Sequence, residues 1–261
     1  MFIIGELING MYVNIREAIK ERDKKEIQKC ALDQIACGAD ALDVNCGPLS
    51  KKPREDMPWL VETIQEVTDK ILCLDSSNAG VIEEGLKVAK NGVIINSTTA
   101  DKEKLDITVP LAVQYKTWLI GITIDKGGIP QNKDRRLEMA AAIVADCQEK
   151  GLPEERLYLD PIVLPVNVAQ AQMKDILDSI AEFKLISPGI RTTVGLSNVS
   201  QGSRQRNLIN RTFLTMAVAY GLDSAILDPK DSALMDALIT AELILNKNIY
   251  CDSYLDAYRK K

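Results

Sequence analysis

The sequence predicts a (β/α)8 barrel that spans residues 1–261 as one domain, and three observations support this fold class. The chain has 261 residues, 46% of them hydrophobic and 26% charged, so it can bury one large core. Short aliphatic or β-branched segments alternate with longer segments of helical period along the whole chain. Eight such strand–helix units match a barrel of the usual length of about 250 residues.

The eight strands are short, continuous apolar segments, which is typical of parallel strands buried on both faces. We predict them at residues 2–5, 41–44, 71–74, 93–95, 118–123, 157–159, 192–196 and 225–227. A doubly wound open sheet is the alternative. It is less favoured because no G-x-G-x-x-G follows the first strand and no change of composition divides the chain into halves.

The first helices follow from capping residues and breakers. We expect a helical region to begin at Asn14, which forms a near capping box with Glu17, and to end at Gly38. Asp56 followed by Pro58 predicts the start of the next helix.

The later helices contain two ambiguous segments. Within residues 101–116, Pro110 must either start a second short helix or kink the first. Gly151 and Pro153 end the helix after the fifth strand. The helix over residues 207–220 is apolar nearly all round, which fits burial inside one barrel or between two subunits.

The sequence contains no histidine. This excludes Ser-His-Asp and Cys-His catalytic arrangements, histidine general bases, and histidine ligands to zinc, iron or cobalt. The chemistry must therefore depend on carboxylates, amides, hydroxyls, thiols, Lys and Arg, or on a cofactor.

Charge and hydropathy limit the partners. With 32 basic and 37 acidic residues and no basic stripe interleaved with aromatics, we expect no nucleic-acid partner. We find no signal peptide and no segment of transmembrane length, so we expect a cytoplasmic protein without membrane contact.

Nearly every predicted strand is followed by an acidic, amide or hydroxyl side chain, where the active site of such a barrel is built. These residues are Glu6 and Asn9, Asp43 and Asn45, Asp75, Asn96, Asp125, Asp160, Ser197 and Asn198, and Asp228. Any one of them can instead cap the next helix, and Asn78 and Ser97 are further candidates for caps. Their recurrence at successive strand ends favours a site.

The residue types in this set limit the chemical class of ligand that the site can bind. Few Lys, Arg or glycine-rich turns are present, which disfavours a phosphate ligand. Clustered carboxylates are also compatible with a bound Mg²⁺ or Ca²⁺ ion, so this alternative is retained. Carboxylate acceptors mixed with Asn amides suit an uncharged, flat, polar heterocycle such as a pterin.

Seven motifs carry a family resemblance. They are, in order, GELING (5–10), ALDVNCGP (41–48), CLDSSN (73–78), INST (95–98), LDPIVLP (159–165), GLSNVSQ (195–201) and NRTFL (210–214). The chain resembles the methyltetrahydrofolate:corrinoid (iron-sulfur) protein methyltransferases over nearly its whole length. These belong to the pterin-binding barrel superfamily, with dihydropteroate synthase and the folate module of cobalamin-dependent methionine synthase.

The resemblance implies an enzyme of one-carbon metabolism that moves the N5 methyl group between 5-methyltetrahydrofolate and a Co(I) corrinoid. Asp75, Asn96 and Asp160 match positions that hold the pyrimidine edge of the pterin, and Asn198 matches the asparagine beside N5. Gln201 and Arg206 match positions near the same face, with Arg206 a candidate contact for the acidic tail. The surrounding shell would contain Glu6, Asp43, Asn45 and Ser197. The family's usual G-E-R motif has Leu7 in place of the arginine, so any ion pair of that arginine is missing.

The same resemblance implies the partners. No D-x-H-x-x-G motif and no cobamide-binding domain are found, so we expect the corrinoid (cobalamin) on a separate protein that docks at the barrel mouth. We expect a homodimer and no bound metal. Three alternatives remain: a dihydropteroate-synthase-like enzyme, which would need a lysine near the seventh strand and an Arg-x-His at the eighth; a non-catalytic pterin-binding subunit; and an unrelated Mg²⁺-dependent barrel enzyme.

Overall fold

Eight parallel strands form a closed barrel in the computed structural model, which describes residues 1–259. The strands are β1 (Phe2–Asn9), β2 (Ala41–Asn45), β3 (Ile71–Asp75), β4 (Val93–Thr99), β5 (Trp118–Ile122), β6 (Leu157–Asp160), β7 (Arg191–Thr192) and β8 (Ser224–Leu227). Their order in the sheet is β7-β6-β5-β4-β3-β2-β1-β8. The Ile226 amide donates to the Val194 carbonyl at 2.9 Å, and this contact joins the two ends of the sheet. The predicted (β/α)8 barrel is confirmed.

Helices surround the barrel and connect its strands. Within the described residues these are α1 (Val13–Glu21), α2 (Lys24–Ala36), α3 (Pro53–Gln65), α4 (Ala79–Val88), α5 (Lys102–Gln114), α6 (Lys133–Glu149), α7 (Val166–Ala169), α8 (Met173–Ile186), α9 (Arg206–Ala219), α10 (Ser232–Ile244) and α11 (Tyr254–Tyr258). No helix in this part of the chain has both the length and the apolarity to cross a membrane.

The predicted first helical region is in fact two helices. The start at Asn14 is wrong, because α1 begins at Val13 and the Asn14 amide donates instead to Glu26 at 3.0 Å. Arg22 ends α1 with a left-handed φ of 56°, and Asp23 caps α2 by accepting from two backbone amides. The predicted stop near Gly38 is confirmed, since α2 ends two residues before it and Gly38 has a φ of 99°.

Two prolines lie inside helices. The helix predicted to start at Asp56 begins at Pro53, so Pro58 stands within α3, where it has no N–H to donate to the preceding turn. The buried Leu60 and Ile64 hold that helix against the barrel. Pro110 likewise lies within the single helix α5.

The seventh strand is shorter than predicted. The strand β7 contains only Arg191 and Thr192, so a single residue of the predicted strand 192–196 pairs regularly. Gly195 makes an isolated bridge to Ile226. The following residues, Leu196–Ser200, form a 3-10 turn in which the Asn198 amide donates to the Gly195 carbonyl at 3.3 Å. Backbone bonding within this turn replaces bonding to the neighbouring strands.

A small apolar cluster fills the barrel interior and supports its open end. It takes one residue from each of the first six strands, namely Ile4, Ala41, Cys73, Ile94, Ile120 and Tyr158. All six are buried. Larger apolar clusters lie between the sheet and the outer helices.

Candidate active site

The strand period places most predicted site residues in one layer. Side chains two residues apart on a strand point to the same face. Two residues beyond the interior cluster, the first six strands carry Glu6, Asp43, Asp75, Asn96, Ile122 and Asp160. Five of these six are acids or amides, so a polar ring lies directly above the apolar plug of the barrel.

Two amide–carboxyl pairs link β2, β3 and β4 at this ring. The Asn45 Nδ2 donates to Asp75 Oδ2 at 2.6 Å, and the Asn96 Nδ2 donates to Asp43 Oδ1 at 3.2 Å. Asp75 and Asn96 are paired in register across β3 and β4. Each amide satisfies one carboxyl oxygen and leaves other polar atoms for a ligand.

The two carboxyls of these pairs bind protons more readily than usual. Burial raises the pKa of Asp43 well above its ordinary value, and the nearby Asp75 carboxylate raises it further. Burial also raises the pKa of Asp75, while the bond from Asn45 opposes that rise. The pair therefore resists carrying two negative charges at once.

Asp160 ends β6 next to an unusual backbone turn. Its Oδ1 accepts from the Ile162 amide at 2.7 Å, and Ile162 has a φ of 62°, a conformation that β-branched residues rarely adopt. Burial raises the pKa of Asp160 to about 7, although hydrogen bonds from the Ile162 and Gly195 backbone lower it. Near neutral pH this carboxyl exists in both protonation states, so it can donate or accept.

Glu6 is hydrogen-bonded to the 3-10 turn after β7. The Ser197 hydroxyl donates to Glu6 Oε1 at 2.7 Å. Burial raises the pKa of Glu6 to about 6; the bond from Ser197 lowers it, Asp228 raises it, and the positive charge of Arg206 lowers it. This hydrogen bond links β1 to the turn that follows β7.

Asn198 lies on the same turn and is exposed. A Cβ atom at Gly195 would lie 2.9 Å from Asn198 Nδ2, so the absence of a side chain at Gly195 makes room for the amide. Arg206 reaches back from the start of α9 and donates to the Ser197 carbonyl at 3.2 Å and to Ser200 Oγ at 3.1 Å. Gln201 follows the turn and is exposed. The site residues implied by the family resemblance thus all lie at this end of the barrel.

Other polar residues at strand ends have local structural roles. Asn9 Oδ1 accepts from the Met11 amide at 2.9 Å, and Asp125 forms an ion pair with Arg135. Asn78 caps α4 by accepting from the Gly80 amide at 2.9 Å, as the capping alternative anticipated. In the described residues no three Cys, Asp or Glu side chains are placed to hold a metal ion.

Sequence reasoning missed two residues. Tyr12 precedes α1, and partial burial together with the negative charges of Glu6 and Asp228 raises the pKa of its hydroxyl. Its position shortly after β1 was the available signal. Ser200 accepts from Arg206, and nothing in the pattern distinguished it from an ordinary turn serine.

A cleft of about 300 Å³ opens beside the polar ring. It is lined by Asn45, Cys46, Gly47, Pro48, Pro53, Asp75, Ser76, Ser77 and Val81. Gly47 has a φ of 79°, and a Cβ there would lie 2.6 Å from the Gly10 carbonyl carbon. The loops after β1 and β2 therefore touch backbone to backbone at the edge of the cleft.

Comparison with known proteins gives both sequence and structural relatives. The methylcorrinoid:tetrahydrofolate methyltransferase of Eubacterium limosum is 30% identical over 262 aligned positions, covering 100% of this chain and 97% of that protein. The methionine synthase of Mycobacterium leprae is 26% identical over 239 residues. This alignment covers 87% of the present chain but only 20% of that protein.

Solved structures share the fold at lower identity. The DHPS of Yersinia pestis with a pterine-sulfa conjugate superposes with a TM-score of 0.70 at 15% identity, covering 94% of each chain. The dihydropteroate synthase of Thermus thermophilus gives a TM-score of 0.65 at 20% identity, covering 93% of this chain and 94% of that one. The sequence model for the family described as pterin binding enzyme matches residues 14–228. The chain therefore belongs to the pterin binding enzyme family and, within it, to the methyltransferases that the Eubacterium limosum protein represents.

Proposed function

We propose that this protein transfers the N5 methyl group between 5-methyltetrahydrofolate and the Co(I) corrinoid of a separate corrinoid protein. The observation that carries the proposal is the polar ring of acids and amides, found in a chain similar over its full length to a methylcorrinoid:tetrahydrofolate methyltransferase. The reaction belongs to one-carbon metabolism. The six free cysteines suit a reducing cytoplasm.

The pterin would be held by its pyrimidine edge. That edge presents N–H and NH₂ donors beside a carbonyl acceptor, which calls for carboxyl oxygens and amides in close proximity. Asp75 and Asn96 are adjacent in register, and Asp160 stands on β6 with one oxygen held by the Ile162 amide. In this proposal Asp75 and Asp160 accept from the pterin, and Asn96 contributes both a donor and an acceptor.

Asn198 would act at the reacting nitrogen. As the bond from N5 to the methyl carbon breaks, its electron pair stays on N5, which must receive a proton or a strong hydrogen bond. With no histidine in the chain, the side-chain N–H of Asn198 is a suitable local donor, and the residue is exposed to solvent. A single preorganised donor of this kind contributes on the order of 2–4 kcal/mol to transition-state stabilisation.

The corrinoid would be presented by a docking partner. Its Co(I) centre supplies the strong nucleophile that accepts the methyl group. The 261 residues offer no histidine to ligate cobalt. Exposed apolar side chains follow β1, β2 and β6 at the same end of the barrel, among them Met11, Val13, Leu49 and Val168, and these suit contact with an apolar macrocycle face.

We also propose that the protein is a homodimer through α9 and α10. Leu208 and Met216 on α9 and Ile244 at the end of α10 are exposed, and an apolar groove of about 450 Å³ runs between the two helices. Sedimentation equilibrium tests this: a dimer that Ile244→Asp dissociates supports it, and a monomer at all concentrations contradicts it.

Spectroscopic titration tests the proposed function directly. The protein is mixed with 5-methyltetrahydrofolate and Co(I) cobalamin, and the formation of methylcobalamin is followed by its absorbance, with the reverse reaction run from methylcobalamin and tetrahydrofolate. Saturable, enzyme-dependent exchange is expected. Tight binding of tetrahydrofolate without transfer would indicate a non-catalytic pterin-binding subunit, and condensation of a pterin diphosphate with p-aminobenzoate would indicate a dihydropteroate synthase.

A further inference from the structure

Glu6 occupies an unusual place in the site. It belongs to the first strand, yet its carboxyl contacts the turn after the seventh strand, 191 residues later, through the Ser197 hydroxyl at 2.7 Å. Ser197 immediately precedes Asn198. The same hydrogen bond therefore fixes the residue next to the proposed proton donor.

The buried side chains of Leu196 and Val199 anchor this turn in the core, whereas Ser197 between them is only half-buried and Asn198 is exposed. Within the turn, the backbone amide of Asn198 donates to the Gly195 carbonyl at 3.3 Å, and that of Gln201 donates to the Asn198 carbonyl at 3.1 Å. The Ser200 hydroxyl donates to the Ser197 carbonyl at 3.3 Å. Beyond these, Arg206 holds the Ser197 carbonyl and the Ser200 hydroxyl from the α9 side. Glu6 and Arg206 thus hold Ser197 by two different atoms and from two different elements.

We propose that Glu6 is a positioning residue. Through Ser197 it holds the 196–200 turn so that the side-chain amide of Asn198 faces the substrate. This inference rests on the proposed methyl transfer for its catalytic consequence, although the tether itself does not depend on that reaction. Without the bond to Glu6, the Ser197 side chain would no longer be held, and the side-chain amide of the exposed Asn198 next to it could sample several orientations. A donor that is displaced from its best position loses much of its effect in the transition state.

Hydrogen exchange tests the tether without reference to activity. In Glu6→Ala we expect the backbone amide hydrogens of Asn198 and Gln201 to exchange about tenfold faster than in the wild type. The reason is that a hydrogen bond to a charged group, which holds the turn, has been removed. Ser197→Ala removes the same bond from the other side and should give the same result. Glu6→Gln keeps an acceptor oxygen and should restore protection.

The matched control is Asp101→Ala. Asp101 is also a half-buried carboxyl at this end of the barrel, and its Oδ1 accepts from the Lys126 amide at 2.7 Å. This variant should leave exchange in the 196–200 turn at the wild-type rate. Unchanged exchange of the turn in both Glu6→Ala and Ser197→Ala would overturn the proposal.

A double-mutant cycle then tests whether Glu6 acts through Asn198. Glu6→Ala should lower kcat about tenfold with little change in KM for 5-methyltetrahydrofolate, and the same change made in Asn198→Ala should have almost no further effect. Independent, multiplying losses would refute a role through Asn198. If the wild type transfers no methyl group at all, the proposed function fails, and exchange alone decides on the tether.

Discussion

Replacing Asp160 with Asn should stabilise the fold while weakening the site. The wild-type carboxyl has an ordinary pKa of 3.8, which burial raises to about 7 in the folded protein. At roughly 1.4 kcal/mol per pKa unit, this difference corresponds to about 4 kcal/mol of destabilisation when the carboxyl is ionised in both states. The figure is an upper limit, because Asp160 is only half-buried and water screens its charge.

The sign and the pH range follow from the same difference. Below pH 3.8 the carboxyl is protonated in folded and unfolded chains, so it imposes no penalty. Between pH 3.8 and about 7 the unfolded chain loses the proton first, and wild-type stability falls as pH rises. Above pH 7 the penalty is complete. Asn is neutral throughout and its oxygen can still accept from the Ile162 amide, so the advantage of Asp160→Asn should grow from pH 4 to pH 7 and then level off.

Urea unfolding at pH 4, 6 and 8 measures this advantage as a difference in the free energy of unfolding. Glu103→Gln is the control, because the ion pair with Lys126 lowers the pKa of Glu103 and removing that charge cannot give the same rise in stability. The dissociation constant for tetrahydrofolate should increase about tenfold in Asp160→Asn, because an acceptor that faces the pterin is lost. A stability difference that does not vary with pH, or an unchanged dissociation constant, would refute the reasoning.

Three further predictions concern the turn and the polar ring. Asn198→Ala should lower the rate of methyl transfer by about 10²-fold while changing the dissociation constant for 5-methyltetrahydrofolate far less, as single-turnover kinetics and equilibrium binding will measure; equal losses would contradict the donor role. Gly195→Ala should lower kcat and leave the midpoint of thermal unfolding nearly unchanged, because the new Cβ would lie 2.9 Å from Asn198 Nδ2 and displace that exposed side chain. A kcat equal to that of the wild type would contradict this prediction. Asn96→Asp should destabilise the fold by about 1–3 kcal/mol at pH 8 and by less at pH 5, because a carboxylate would then face Asp43 Oδ1; calorimetry at the two pH values checks this, and equal losses would be inconsistent with charge repulsion.

The barrel could be predicted because its signals repeat. Each strand reads as an apolar segment, and a side chain two residues past the interior cluster falls in the same layer by simple alternation. This is why Asp43, Asp75 and Asp160 could be selected from sequence position alone. Position alone does not separate a ligand-binding amide from one with a local role, as at Asn9, whose Oδ1 accepts from the Met11 amide.

The misplaced boundaries have local physical causes. Asn14 has the right chemistry for a helix cap, but α1 begins one residue earlier, at Val13. The side-chain amide of Asn14 instead donates to Glu26, a contact that no short-range pattern encodes. Pro58 reads as a helix start, yet tertiary burial of its neighbours keeps it inside α3. The contact from Glu6 to Ser197 joins residues 191 positions apart, and one sequence holds no signal for such a pairing.

That separation has a consequence for how the site comes into being. Synthesis proceeds from the N-terminus, so Glu6 leaves the ribosome long before the turn that it must hold. The loop between them has to close before the hydrogen bond can form, and such distant contacts form late in folding. A nascent or truncated chain lacking the last quarter of the sequence would therefore carry most of the acids of the mouth and yet have no assembled donor. Substrate that binds only the finished barrel would, by mass action, draw late intermediates toward completion.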